Sequence, residues 1–189
     1  MMKRDECFRA LASRCPDDIV VAVYSSAFDW VRIRPHPLNY FAVGAMGLGS
    51  SHGLGLALGQ PGRRIIVLDG DGSLLMNLGS LVTVAAAAPR NFYHFVCENG
   101  TYEANGSHPI PARGRVDFSG LARAAGYPQV HQFDQLSAFE RDIAAVLAEP
   151  GPVFVDLKLV PGEPAPADYD SLYAASRREA FRQALGLPR

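Results

Sequence analysis

Two short runs of this chain carry residues that can do chemistry together. Asp71 sits between Gly70 and Gly72 and is followed by Ser73, and Asn99 is followed by Gly100, Thr101 and Tyr102. A carboxylate and an amide oxygen are hard donors of the kind Mg2+ takes, and that ion keeps few protein ligands, with phosphate and water completing its octahedron. Glycine on each side of Asp71 allows a tight turn and a close backbone approach to a ligand. Ser73 and the first N–H groups of a helix beginning there can donate to diphosphate oxygens. The two runs thus suit the two halves of a metal–diphosphate site, in which Asp71 and Asn99 face one ion and a backbone carbonyl joins them.

Strands must place both halves. Arg64 to Leu68 leads into the first and Asn91 to Cys97 into the second. Such unbroken apolar runs belong to parallel strands buried on both faces, and ligands bind at the carboxyl ends of those strands. A helix expected from about Leu74 to Ala87, ending before Pro89, makes this a βαβ unit. Elsewhere the pattern predicts a helix over 3–14, a buried strand over Asp18 to Tyr24 and a loop from Ser25 through Pro35 and Pro37. A short strand follows over Asn39 to Val43, then a Gly/Ala-rich helix over Ser50 to Leu58. Glu98 to Val116 is expected as a long functional loop. Helices over Phe118 to Ala125 and Gln135 to Glu149 flank a strand near Gln129 to Gln132, and Val153 to Leu159 is a further buried strand. The alternation points to an α/β fold: one domain over 1–189, a mostly parallel central sheet with helices on both faces, and a C-terminal extension from about 161 with a final helix over Ser171 to Leu185.

The Gly-Asp-Gly-Ser turn, with Asn99-Gly100 28 residues beyond Asp71 (99 minus 71), resembles the thiamine diphosphate-binding motif of the thiamine-dependent decarboxylases. The segment from Gly44 through Gly47 to Ser51, and Asn105 to Pro109, narrow the resemblance to the sulfopyruvate and phosphonopyruvate decarboxylases. The resemblance implies thiamine diphosphate and Mg2+ as cofactors. It assigns Asp71, Asn99 and the main-chain carbonyl of Thr101 to the metal, and Ser25, Gly44, Met46, Gly70, Gly72, Ser73 and Tyr102 to the cofactor. Met46 would be the bulky side chain that holds the two cofactor rings bent, a catalytic role. His108, in a loop where the family has a Gln-Pro-Thr ending, can bind an anionic group or move a proton. Relatives carry Ser-Arg-Glu after the first strand, where this chain has Ser25-Ser26-Ala27-Phe28-Asp29 and keeps only the serine.

The same resemblance implies an incomplete site. The glutamate that activates the cofactor belongs to a pyrimidine-binding domain, for which 189 residues spent on the diphosphate-binding fold leave no room. A pyrimidine-binding alpha subunit is therefore the expected partner, with self-association and a small anionic 2-oxoacid substrate. Helix 50–58 and loop 98–116 are the expected contact surfaces.

Composition sets the remaining bounds. A net charge of -1 gives no reason to expect nucleic acid or an anionic membrane as partner. No run approaches membrane-spanning length, and the charged residues among Met1 to Arg14 do not suit a secretory signal. Cys7, Cys15 and Cys97 fit reduced packing thiols in a cytoplasmic protein. Two other functions compete. Gly47-Leu48-Gly49 followed 20 residues later (69 minus 49) by Asp69 suggests a nicotinamide oxidoreductase, although His52 replaces the third glycine of that fingerprint. A non-catalytic partner subunit of a thiamine enzyme is the second. Asp69 is otherwise expected as a turn or cap carboxylate, and His52 and His94 as structural residues.

Overall fold

The computed structural model describes residues 1–44, 46–162 and 168–187. Ala45, most of the Pro/Ala-rich stretch after Pro161, and the last two residues lie outside the described residues.

In chain order the elements are α1 (Arg4–Ala12), β1 (Ile19–Val23), α2 (Tyr24–Ile33), β2 (Asn39–Ala42), α3 (Gly49–Gly59), β3 (Ile65–Gly70), α4 (Asp71–Leu75), α5 (Gly79–Ala87) and β4 (Phe92–Glu98). A small hairpin of β5 (Thr101–Tyr102) and β6 (His108–Pro109) follows, then α6 (Phe118–Ala125), β7 (Gln129–Phe133), α7 (Leu136–Val146), β8 (Val153–Lys158), α8 (Tyr169–Tyr173) and α9 (Ala175–Ala184). Six strands form one parallel sheet in the order β2-β1-β3-β4-β8-β7. The α/β expectation, with a mostly parallel sheet and helices on both faces, holds.

The sheet buries both faces because its central strands have almost no polar residue to offer water. Side chains alternate across the sheet. Val20, Ile66, Phe95 and Val155 meet Phe8, Leu11, Trp30 and Phe139 from α1, α2 and α7. Ile19, Val67, Phe92 and Phe154 meet Ala57, Leu81, Phe118 and Phe181 from α3, α5, α6 and α9. From β1 the chain crosses outward to β2 and returns to β3, which continues to β4 on the other side. Ligand clefts form where a parallel sheet reverses direction in this way, here between the carboxyl ends of β1 and β3.

Local chemistry explains several boundaries. Asp117 caps α6 by accepting the Gly120 N–H at 2.7 Å, and Gly126, at φ +103°, ends that helix in the left-handed region. The three cysteines are buried and unpaired.

Four expectations need correction. Ser25 to Asp29 is not loop: β1 runs straight into α2 through Tyr24, a non-glycine residue at φ +41°. The helix expected over Leu74 to Ala87 is two, α4 and α5. The Met76 and Asn77 N–H groups close tight turns onto Ser73 and Leu74, and the Asn77 side chain turns away to donate to the Gly47 carbonyl. The final helix is also two, because Ala174 is extended (ψ 132°) between α8 and α9, and Arg177 and Arg178 donate to the open carbonyls of Ser171 and Tyr173. Finally, the long loop after Glu98 contains the β5–β6 hairpin.

Helix α3 lies so close to β3 that it has no room for a side chain at Gly53. A Cβ there would stand 2.3 Å from Val67 Cγ2 and 2.9 Å from Phe92 Cε2, whereas one at Gly55 meets nothing within 4 Å. Gly53→Ala is expected to cost about 1–3 kcal/mol and lower the melting temperature by several degrees. Gly55→Ala should raise it slightly, as alanine replaces glycine in an open helix position; calorimetric melting of both variants checks the contrast.

Candidate cofactor site

The site begins with register. Gly70 pairs with Cys97 at the ends of β3 and β4, so Asp71 and Asn99 emerge side by side. The Asp71 carboxylate is 1% exposed and accepts three backbone N–H groups: Gly72 at 2.7 Å on Oδ1, with Asn99 at 3.1 Å and Gly100 at 2.6 Å on Oδ2. Burial pushes its pKa up to about 6, a shift the three donors oppose and the nearby Glu98 charge assists.

Asn99 then orders the next turn. Its Oδ1 accepts the Thr101 N–H at 2.8 Å and the Thr101 hydroxyl at 3.1 Å. In the hairpin, the Ile110 N–H donates to Gly100 and Thr101 stands opposite Pro109, which has no N–H. Bonded and non-bonded pairs alternate along an antiparallel ladder, so the Thr101 carbonyl is left outside it. Tyr102 lies on Gly72, where a Cβ would fall 2.4 Å from its ring. The two predicted halves are therefore in direct contact.

A third segment joins them. Ser73 Oγ accepts the Gly47 N–H at 3.0 Å and Asn77 holds the Gly47 carbonyl, fixing that glycine at φ +84°. The Ser73 hydroxyl hydrogen remains free to donate elsewhere. Met46 comes with this segment to the wall of a cleft, together with Ser25, Gly70 to Ser73, Asn99, Thr101 and Tyr102. Two predicted residues lie outside it. Gly44 is at an exposed bend near the Tyr173 hydroxyl, and His108 is exposed on β6. Ser26, the alternative to Ser25 as a diphosphate donor, lines the cleft too, and sequence reasoning passed over Arg4, Tyr24, Cys97 and Glu103, which also line it. Only the left-handed Tyr24 at a strand end has a local cause, and no local sequence signal brings Arg4 there.

The donor set suits a phosphorylated cofactor with a divalent ion. Asp71, Asn99 and Thr101, which carry a carboxylate, an amide oxygen and a carbonyl outside the hairpin ladder, line one cleft, and a Cβ at Gly70 would meet nothing within 4 Å. Among the described residues no cluster of three His, Cys, Asp or Glu could hold a metal without such help. The first turns of α2 and α4 bring further open N–H groups to the cleft wall.

Residues 21–157 match the model of the thiamine pyrophosphate enzyme C-terminal TPP binding domain. The chain belongs to the thiamine pyrophosphate enzyme family. It is 43% identical over 66% of its length to phosphonopyruvate decarboxylase of Streptomyces viridochromogenes, spanning 31% of that protein. It is 37% identical over 86% of its length to the sulfopyruvate decarboxylase subunit beta of Methanothermobacter thermautotrophicus, spanning 84% of it. The thiamine diphosphate-dependent 4-hydroxybenzoylformate decarboxylase of Rhodococcus jostii shares the fold, with a TM-score of 0.71 at 22% identity over 86% of this chain and 33% of that one.

For this thiamine pyrophosphate-binding domain the nicotinamide reading fails on Asp69. That carboxylate is 1% exposed, accepts the Gly70 N–H at 2.9 Å and lies 3.2 Å from His94 Nε2, so it has no free edge for a ribose. The turn-carboxylate expectation accounts for the first contact and misses the second. His94 has a structural place, its Nδ1 3.5 Å from the Tyr127 hydroxyl.

Arg4 and Glu103 give the cleft its remaining charge. Burial disfavours the guanidinium charge, but the carboxylates of Glu103 and Asp29 outweigh that and hold the Arg4 pKa above its ordinary value.

Gly72→Ala is expected to displace the Tyr102 ring, lower thermal stability and abolish thiamine diphosphate binding in calorimetric titration. Gly70→Ala should leave stability unchanged; if it weakens cofactor binding alone, the open space beside Gly70 is where the cofactor lies.

Proposed function

We propose that this chain is the thiamine diphosphate- and Mg2+-binding subunit of a 2-oxoacid decarboxylase that acts on sulfopyruvate or phosphonopyruvate, with its active site completed by a pyrimidine-binding alpha subunit. The observation that carries the reading is the contact between the Asp71 carboxylate and the Asn99-Gly100 turn, in a chain that matches the cofactor-binding domain over 21–157. When bound, thiamine diphosphate supplies the nucleophile and the electron sink that let carbon dioxide leave a 2-oxoacid.

The chain's own residues have separable tasks in this reading. Asp71, the Asn99 amide oxygen and the Thr101 carbonyl hold Mg2+, and Ser25, Gly70, Gly72 and Ser73 with the first-turn N–H groups hold the diphosphate. Met46 supports the bent cofactor from below and Tyr102 packs the turn against Gly72, while the backbone contact of Gly44 to the aminopyrimidine rests on the family resemblance alone, since Gly44 lies outside the cleft. His108, exposed on β6, would bind an anionic group of the substrate.

Three observations favour a second chain. The chain spans about a third of the phosphonopyruvate decarboxylases it matches but 84% of a sulfopyruvate decarboxylase subunit beta. The glutamate that lines the cleft, Glu103, is occupied by Arg4 and the Gly162 N–H, so it is not free to act on a cofactor ring. And residues 44–62 and 72–89 contain no Asp, Glu, Lys or Arg, although Leu48, Leu58, Met76 and Val82 are exposed there at 38%, 61%, 56% and 58%. Helices α3 and α5 pack side by side, so this uncharged surface is continuous and leads directly from the Met46 segment. Depletion of charge over exposed apolar residues marks a buried contact between chains. The same surface can serve self-association.

The test is co-expression with a pyrimidine-binding subunit and assay of carbon dioxide release from 3-sulfopyruvate and 3-phosphonopyruvate. Release from one of them, requiring thiamine diphosphate and Mg2+ and lost by at least a thousandfold in Asp71→Ala, is expected from the removal of a metal ligand. Bound cofactor with no release from either acid refutes the substrate assignment; no release across a 2-oxoacid panel favours a non-catalytic subunit.

A further inference from the structure

The β5–β6 hairpin carries the Thr101 carbonyl, yet it has little to hold it. Its ladder joins two residues to two, and an isolated hairpin of that size is marginal in water. Tyr102 rests on Gly72 on one side. On the other, Glu103 is half-buried, its side chain 10% exposed, and both its oxygens are engaged: Oε2 takes the Arg4 Nη1 donor and Oε1 the Gly162 N–H at 2.5 Å.

Arg4 is itself fixed. Its side chain is 11% exposed, and Nε donates to Asp29 Oδ2 at 2.7 Å. Arg4 therefore ties α1 and α2 to Glu103, two positions past Thr101, and Glu103 in turn holds the chain beyond β8 through the Gly162 N–H. Arg4 and Gly162 both lie outside the 21–157 span that matches the family model. The planar fork suits this arrangement, because its separate nitrogens meet two carboxylates in fixed directions, which a lysine ammonium does not. Removing one member would leave a buried charge without its partner.

We infer that Arg4 is a positioning residue for the metal-ligand turn, acting through Glu103 to set where the Thr101 carbonyl stands relative to Asp71 and Asn99. The inference rests on the reading that this cleft holds Mg2+ and diphosphate. Arg4 lines the cleft as well, but two of its three guanidinium nitrogens are engaged by carboxylates, which argues against a primary role as an oxyanion ligand.

The test uses the full chain with Mg2+ and thiamine diphosphate, comparing wild type with Arg4→Met, Arg4→Lys, Glu103→Gln and the Arg4→Met/Glu103→Gln double variant. Calorimetry at saturating cofactor should show the Mg2+ requirement rising about 10–100-fold in Arg4→Met and Glu103→Gln, the range for residues that orient a metal ligand. The double variant should be no worse than either single one, and Arg4→Lys should fall between. In the metal-free protein, amide exchange over residues 100–104 should quicken in both single variants while β3 and β8 stay as protected as in wild type. Wild-type Mg2+ dependence together with wild-type exchange overturns the inference, as does a change confined to the substrate KM, which would place Arg4 on the substrate. If wild type binds neither ion nor cofactor, the functional reading falls, and the exchange measurement alone decides whether Arg4 orders the turn. Should Arg4→Met fail to fold, Glu103→Gln, which keeps the Arg4–Asp29 pair, decides in its place.

Discussion

The buried carboxylate of Asp71 is the point on which the rest of the site depends. It is out of water at the end of β3, and its three backbone donors come from the two chain segments that meet there. Hydrogen bonds to a charged acceptor contribute about 1.5–3 kcal/mol each, more than neutral ones. Their geometry matters as much as their strength: they set the turn after β4, which directs Asn99, which in turn directs Thr101. A carboxylate so held has still not replaced all the hydration it lost, and its raised pKa is the sign of that deficit. A divalent ion is the partner that would remove it.

Two carboxylates, two residues apart, have opposite fates because the strand ends between them: residues i and i+2 of a strand share one face, so only the turn out of β3 separates Asp71 from Asp69. Asp69 still belongs to β3 and points into the packed face, where it meets His94, whose other ring nitrogen faces the Tyr127 hydroxyl. Asp71 has left the strand and opens the first turn of α4. The glycines obey the same geometry. Gly53 lets α3 settle on Val67 and Phe92, and Gly72 lets Tyr102 close over the turn, so the helix, the strand end and the hairpin all approach at backbone distance.

Charge is distributed with equal economy. Arg4 is neutralised by Asp29 and Glu103, while the surface from the Gly47 segment across α3 and α5 has no charge at all. In the proposed assembly the polar groups at the ends of β3 and β4 would meet the cofactor, and the uncharged surface with exposed Leu48, Leu58, Met76 and Val82 would meet the partner.

Much of this was legible in the sequence. The strands were, because Ile65 to Leu68 is wholly apolar and Phe92 to Cys97 is apolar but for His94, a pattern that a sheet buried on both faces accommodates. So was the pairing of Asp71 with Asn99, since oxygen donors beside glycine at two strand ends have few other uses. The tertiary structure alone decided what depends on distant partners. Helix α2 begins without a loop because Tyr24 tolerates a left-handed backbone at the strand end, and the break after α4 exists because Asn77 serves Gly47 instead of its own helix. The Asp69–His94 contact follows from the order of β3 beside β4, and the place of Arg4 follows from the docking of α1 against α2. Local patterns report how a segment buries its own surface; which ionisable groups meet across 25 or 99 positions of chain is set by sheet order and helix packing, which those patterns do not encode.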